Sequence, residues 1–130
     1  MSRGVREMVQ DALKTVDTIS AEAAKAQIDE GTASLVVDVR EPNEFDQGHL
    51  PGAINVPRGL LELRADASSP VADPGLTASR EARIVVYCLK APGARSVLAA
   101  ETLGRMGYSN VVAMQGGLEE WRAAGLDVAG

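Results

Sequence analysis

Residues Ile84 to Leu103 leave the chain few folds to choose from. Ile84-Val85-Val86-Tyr87 is an apolar, mostly β-branched run, the only cysteine follows at position 88, a short segment carries Pro92 and Gly93, and an alanine-rich helical pattern runs on to Leu103. Cys88 therefore belongs where a strand gives way to a helix. At such a point the free N–H groups of the loop and of the first helical turn converge, and the helix dipole adds partial positive charge. That setting favours a thiolate and attracts an anion. Lys90 and Arg95, two and seven residues after the cysteine, bring two cations to the same place. Cations and a helix N-terminus lower a thiol pKa from about 8.5 into a range of about 3.5 to 7.5, so Cys88 is expected to act as a nucleophile rather than as a small buried hydrophobe. Leu89, Lys90, Ala91, Gly93, Ala94, Arg95 and Ser96 are the expected anion-binding residues around it.

The remaining chain alternates strand and helix signals. Apolar side chains at Val5, Met8, Val9, Ala12, Leu13 and Val16 predict an amphipathic helix over 5–16, within an N-terminal extension at 1–16 ahead of the main domain at 17–130, packed on that domain in preference to another subunit. Thr18-Ile19 reads as a short strand, and Ser20 as the N-cap of a helix that ends at Gly31. Leu35 to Val39 is an apolar strand interrupted by Asp38, which must reach solvent or pair with a cation. Because ligands gather at the carboxyl ends of parallel strands, Asp38 and Arg40 are expected on the same edge as Cys88, as a structural ion pair. Pro42 suits the first turn of a short helix. His49, the only histidine, is expected to hold the turn before Pro51-Gly52. Ala53 to Val56 predicts a third strand, and Pro57 to Ala65 a helix with Leu60, Leu61 and Leu63 available for packing. Arg58, just after a strand, is a candidate to reach into the crevice. From Asp66 to Glu81 no periodicity survives, which predicts a surface loop. Val111 to Met114 is the last strand, and Leu118 and Trp121 mark the packing face of a terminal helix after Gly116-Gly117. The pattern predicts an α/β domain with a mainly parallel sheet and helices on both faces.

The chain also resembles the rhodanese-like sulfurtransferases. The matching residues are Val36 to Phe45, Gly48 to Pro57, Val86-Tyr87-Cys88 with Arg95-Ser96, Gly107-Tyr108 and Gly116 to Trp121, in the family's order from about Thr18 to Leu126. The resemblance implies a five-stranded rhodanese fold, with Asp38 and Arg40 supporting the active-site region. It also implies that Cys88 takes up a sulfane sulfur as a persulfide from an anionic donor such as thiosulfate and passes it to cyanide, a thiol or a protein acceptor, with no cofactor or metal. Lys90 resembles its counterpart in thiosulfate-using members. The loop departs from the family, because six residues separate Cys88 from Arg95 where single-domain members have four. Gly93 favours a loop that runs on to Ala94 and makes a wider cradle.

Two rivals stand beside this reading. A Cys loop ending in Arg-Ser also resembles cysteine phosphatases and arsenate reductases, which place five residues between the two, and no Asp in a general-acid loop is identifiable in this sequence. A non-catalytic rhodanese-like binding module is the other. The net charge of −5 argues against a nucleic-acid partner, and the chain has no apolar run long enough for a membrane span. One cysteine forms no internal disulfide, so the cytoplasm is the expected location.

Overall fold

The computed structural model describes residues 2–130. Five strands, β1 (Asp17–Ile19), β2 (Leu35–Asp38), β3 (Ile54–Asn55), β4 (Ile84–Tyr87) and β5 (Val111–Met114), form one parallel sheet in the order β1-β5-β4-β2-β3. β4 is the central strand, flanked by two neighbours on its β2 side and two on its β5 side. Both its faces are covered, which is why its residues form an unbroken apolar run.

The two-residue pleat sorts β4 between two cores. Ile84, Val86 and Cys88 face Val37, Leu61, Leu76, Ala99, Leu103 and Tyr108, while Val85 and Tyr87 face Ala21, Ala24, Leu50, Leu118 and Trp121. The first face is closed by α4 (Leu61–Ala65), α5 (Pro74–Thr77) and α6 (Ala94–Arg105), the second by α2 (Ala21–Glu30) and α7 (Gly117–Ala123). Ser20 caps α2 by accepting from the Ala23 N–H at 3.0 Å, and Gly31 ends it. Trp121 anchors α7, its indole N–H donating to the Asp127 carbonyl at 2.8 Å.

The N-terminal helix, α1 (Val5–Ala12), is shorter than its periodicity predicts. Lys14 and Thr15 donate to carbonyls three residues back, and the Thr15 hydroxyl bonds the Ala12 carbonyl, so the last turn tightens and stops. Val9, Ala12 and Val16 pack on Val97, Ala100 and Ala113, but Val5, Met8 and Leu13 face outward. Two further expectations need correction. After the single turn Arg58–Leu60, only Leu61 of the three leucines is buried, with Leu60 and Leu63 exposed. The 66–81 segment is not a plain loop: Asp73 caps α5 by accepting from the Leu76 N–H at 3.2 Å, and Leu76 is wholly buried. A four-residue helix with one anchor is too short to register as periodicity.

Candidate active site

Cys88 directly follows β4, and its residue is 3% exposed, roofed by the loop that leads to α6. Its thiol donates to Ser96 Oγ at 3.4 Å, and the Ser96 hydroxyl donates to the Gly93 carbonyl at 3.1 Å. The Gly93 N–H closes a turn on the Lys90 carbonyl at 2.9 Å. Gly93 has φ +77°, and a Cβ there would lie 3.3 Å from Ser96 Oγ, so the position requires glycine. Helical geometry begins only at Ala94. The N–H groups of Lys90, Ala91, Ala94, Arg95 and Ser96 are left without a backbone acceptor. Lys90 is exposed at the rim, with no carboxylate partner among the described residues.

The terminal helix sets the first peptides of this loop. Leu118 N–H donates to the Cys88 carbonyl at 3.0 Å and Glu119 N–H to the Leu89 carbonyl at 2.9 Å. In a planar trans peptide the N–H points opposite its carbonyl, so the Leu89 and Lys90 N–H groups are turned away from α7. Such close approach depends on Gly117, where a Cβ would fall 2.5 Å from Leu89 C and 2.6 Å from the Cys88 carbonyl oxygen.

Beneath the site lies an ion pair shielded from water. Arg40 Nη2 donates to Asp38 Oδ2 at 2.7 Å and Arg40 Nε to Oδ1 at 3.0 Å, while Nη2 also reaches the Gly48 carbonyl at 2.7 Å. The Arg40 N–H closes on Asp38 Oδ1 at 2.9 Å, and Asn55 Nδ2 ties the Asp38 and Arg40 carbonyls together at 3.0 and 2.9 Å. Burial works against the Arg40 charge, but the bonds and charge of Asp38 outweigh it and hold the guanidinium pKa above its ordinary value. Asp38 stands beside Tyr87 in the β2–β4 register, so the pair braces the strand end that carries Cys88. Burial, reinforced by the Asp38 charge, pushes the Tyr87 phenol well above its ordinary value, and its oxygen accepts from the Leu50 N–H at 3.0 Å.

Arg95 does not stand free. Its Nη1 donates to Glu44 Oε1 at 2.7 Å and its Nη2 to Oε2 at 3.3 Å, linking the loop to the short helix α3 (Pro42–Asp46). The Arg95 bond holds Glu44 below the ordinary carboxylate value, and the pairing raises Arg95, with Cys88 also favouring its charge. Glu44 Oε1 accepts the Glu41 N–H at 3.0 Å as well, which fixes the carboxylate from the helix side. This partner was hidden in the sequence, because it lies 51 residues before Arg95. Arg58, expected in the crevice, instead bonds Glu62 Oε1 and Thr102 Oγ1, each at 3.0 Å, and so lies against the C-terminal half of α6 rather than at its start. His49 stacks on Phe45 with ring centroids 3.8 Å apart, and its backbone pairs with Ala129. No group of three His, Cys, Asp or Glu side chains among the described residues is arranged to hold a metal.

Residues 20–124 match the rhodanese-like domain. The chain belongs to that family. A protein named sulfurtransferase from Allochromatium vinosum is 30% identical over 113 residues, covering 87% of this chain and 94% of its own. Bacillus subtilis YrkF, provisionally named a sulfur carrier protein, is 30% identical over 107 residues, and this rhodanese-like chain spans about half (51%) of its length. Among solved structures, a Rhodopseudomonas palustris protein of unknown function, described as a possible tyrosine phosphatase, superposes with a TM-score of 0.90 at 34% identity, covering 99% of this chain and 96% of that one. The thiosulfate sulfurtransferase of Pseudomonas aeruginosa superposes with a TM-score of 0.74 at 26% identity, over 92% of this chain and 21% of that one. No helix among the described residues is long and apolar enough to cross a membrane.

Proposed function

We propose that this rhodanese-like chain is a sulfurtransferase that carries sulfur on Cys88. The observation that supports it best is the placing of a single cysteine at the end of the central strand, beneath a loop whose Lys90, Ala91, Ala94, Arg95 and Ser96 N–H groups have no backbone acceptor. The Cys88 thiolate attacks the outer sulfur of thiosulfate, a Cys88 sulfur–sulfur bond forms, and the bond pair of the broken sulfur–sulfur bond leaves with sulfite. The persulfide then gives its terminal sulfur to cyanide, a small thiol or a protein thiol, so the kinetics are ping-pong. Unpaired N–H groups hold the leaving anion and the persulfide charge, with Lys90 and Arg95 adding electrostatic support. Asp38 and Arg40 act as a brace rather than as reactants. No metal or organic cofactor enters the scheme, and a reducing cytoplasm suits the free thiol.

Intact mass after incubation with thiosulfate tests this directly. A gain of one sulfur atom that dithiothreitol reverses, and that Cys88→Ser abolishes, is expected, because a hydroxyl at this site neither ionises nor forms a persulfide. No gain in the wild type, or a gain in the Ser variant, refutes the reading. Hydrolysis of p-nitrophenyl phosphate without sulfur uptake would identify a phosphatase, and neither activity a binding module.

A further inference from the structure

Among the described residues the Cys88 sulfur has one hydrogen-bonding partner, Ser96 Oγ at 3.4 Å, and both side chains are shielded from water. Arg95 is bonded to Glu44 and Lys90 is exposed at the rim, so neither cation donates to the sulfur. The Ser96 hydroxyl donates to the Gly93 carbonyl at 3.1 Å, which leaves its oxygen free to accept the thiol proton. That carbonyl does not depend on the hydroxyl, because the Val97 N–H also donates to it at 2.9 Å in the first turn of α6. A hydroxyl hydrogen turns about its C–O bond, so it can swing from Gly93 to Cys88 without stranding a buried acceptor. A neutral thiol has a proton to give and needs an acceptor, whereas a thiolate needs a donor. Ser96 supplies either one with no movement of heavy atoms.

Resting on the sulfurtransferase reading, we propose that Ser96 is a catalytic residue of the step that discharges the persulfide, its hydroxyl donating a hydrogen bond to the Cys88 sulfur as charge returns there. When cyanide is the acceptor, its carbon attacks the outer sulfur of Cys88–S–S⁻ and a carbon–sulfur bond forms. The sulfur–sulfur bond breaks with its electron pair going to Cys88 Sγ, and thiocyanate leaves, so two negative charges stand on each side of the step. In the persulfide the inner sulfur is uncharged, and the hydroxyl rests on the Gly93 carbonyl. As the bond breaks, negative charge grows on Sγ and the hydroxyl turns to meet it. Hydrogen bonds to an ionised acceptor are the stronger ones, and an interaction that strengthens toward the transition state speeds its step. Uptake runs the other way: charge leaves Sγ as it attacks thiosulfate, so the same hydrogen bond weakens and restrains that step. Ser96 thus favours release of sulfur over its uptake.

The two half-reactions, measured separately at about pH 9.5, above the ordinary thiol value of about 8.5, test the assignment. Single-turnover loading by thiosulfate is followed by intact mass, and discharge by thiocyanate release when cyanide is added to the isolated persulfide form. Ser96→Ala should slow discharge about tenfold and speed loading about two- to threefold. Ser96→Thr, which keeps a hydroxyl, should bring discharge back to within about threefold of the wild type. A serine that merely held the loop in shape would, when lost, move both constants the same way. Parallel changes in the two half-reactions of Ser96→Ala, or an unchanged discharge, overturn the proposal while leaving the sulfurtransferase reading intact. A wild type that takes no sulfur from thiosulfate overturns both.

Discussion

Replacing Gly117 by alanine tests whether the terminal helix holds the loop after Cys88 in place. The new methyl group would sit 2.5 to 2.7 Å from Leu89 C, the Cys88 oxygen and the Leu89 oxygen, all backbone atoms that cannot swing aside as a side chain does. Gly117 also has φ +56°, where an alanine costs about 1–2 kcal/mol. Relief of the clash requires α7 to withdraw, which gives up the Leu118 and Glu119 bonds to the loop carbonyls. At about 0.5–1.5 kcal/mol for each bond, the total loss is roughly 2–5 kcal/mol. Gly52 supplies the control, since it has φ +78° and a methyl group there would meet nothing within 4 Å, so its alanine variant carries the backbone cost alone. Urea unfolding of both variants should place Gly117→Ala below Gly52→Ala by roughly 1–3 kcal/mol, the worth of those two bonds. Alkylation of Cys88 by iodoacetamide, measured in native buffer, should change in Gly117→Ala and stay at the wild-type rate in Gly52→Ala. Equal stability of the two variants, with equal alkylation rates, would refute the idea that α7 clamps the loop.

Removing one partner of the shielded ion pair should be costly: Arg40→Met strands the Asp38 carboxylate and is expected to lose about 3–5 kcal/mol in urea unfolding. Adding Asp38→Leu to that variant should recover part of the loss, and a double variant weaker than Arg40→Met would count against a desolvated pair. Tyr87→Phe leaves the Leu50 N–H without its acceptor and should cost about 1–3 kcal/mol. Tyr87 also fixes the sign of the alkaline response. Its folded-state pKa is raised above the ordinary 10.0, so between the two values the native chain keeps a proton that the unfolded chain loses, and stability is complete below pH 10 and falls as pH rises beyond it. Thermal melts from pH 8 to 11 should show that fall in the wild type and less of it in Tyr87→Phe.

The strand–cysteine–helix unit was legible because local rules suffice for it. A β-branched run covered on both faces, a Pro-Gly turn and an alanine-rich helix carry their own periods, so β4, α6 and the position of Cys88 between them follow from residues 84–103 alone. Ser20 and Gly31 likewise announce the ends of α2 through capping chemistry that acts within a turn. The Asp38–Arg40 pair was legible for a related reason: a carboxylate in an apolar strand demands a cation, and one stood two residues away. Tertiary structure alone decided what local chemistry leaves undetermined. Arg58 and Arg95 both follow strands and carry the same guanidinium, yet one settles on Thr102 and the other on Glu44, because long flexible side chains take whichever acceptor the packed helices bring within reach. The hold of Leu118 and Glu119 on the Cys88 and Leu89 carbonyls joins segments far apart in the chain. Spacing along a sequence cannot encode such meetings; they exist once the sheet has fixed the separation of its helices.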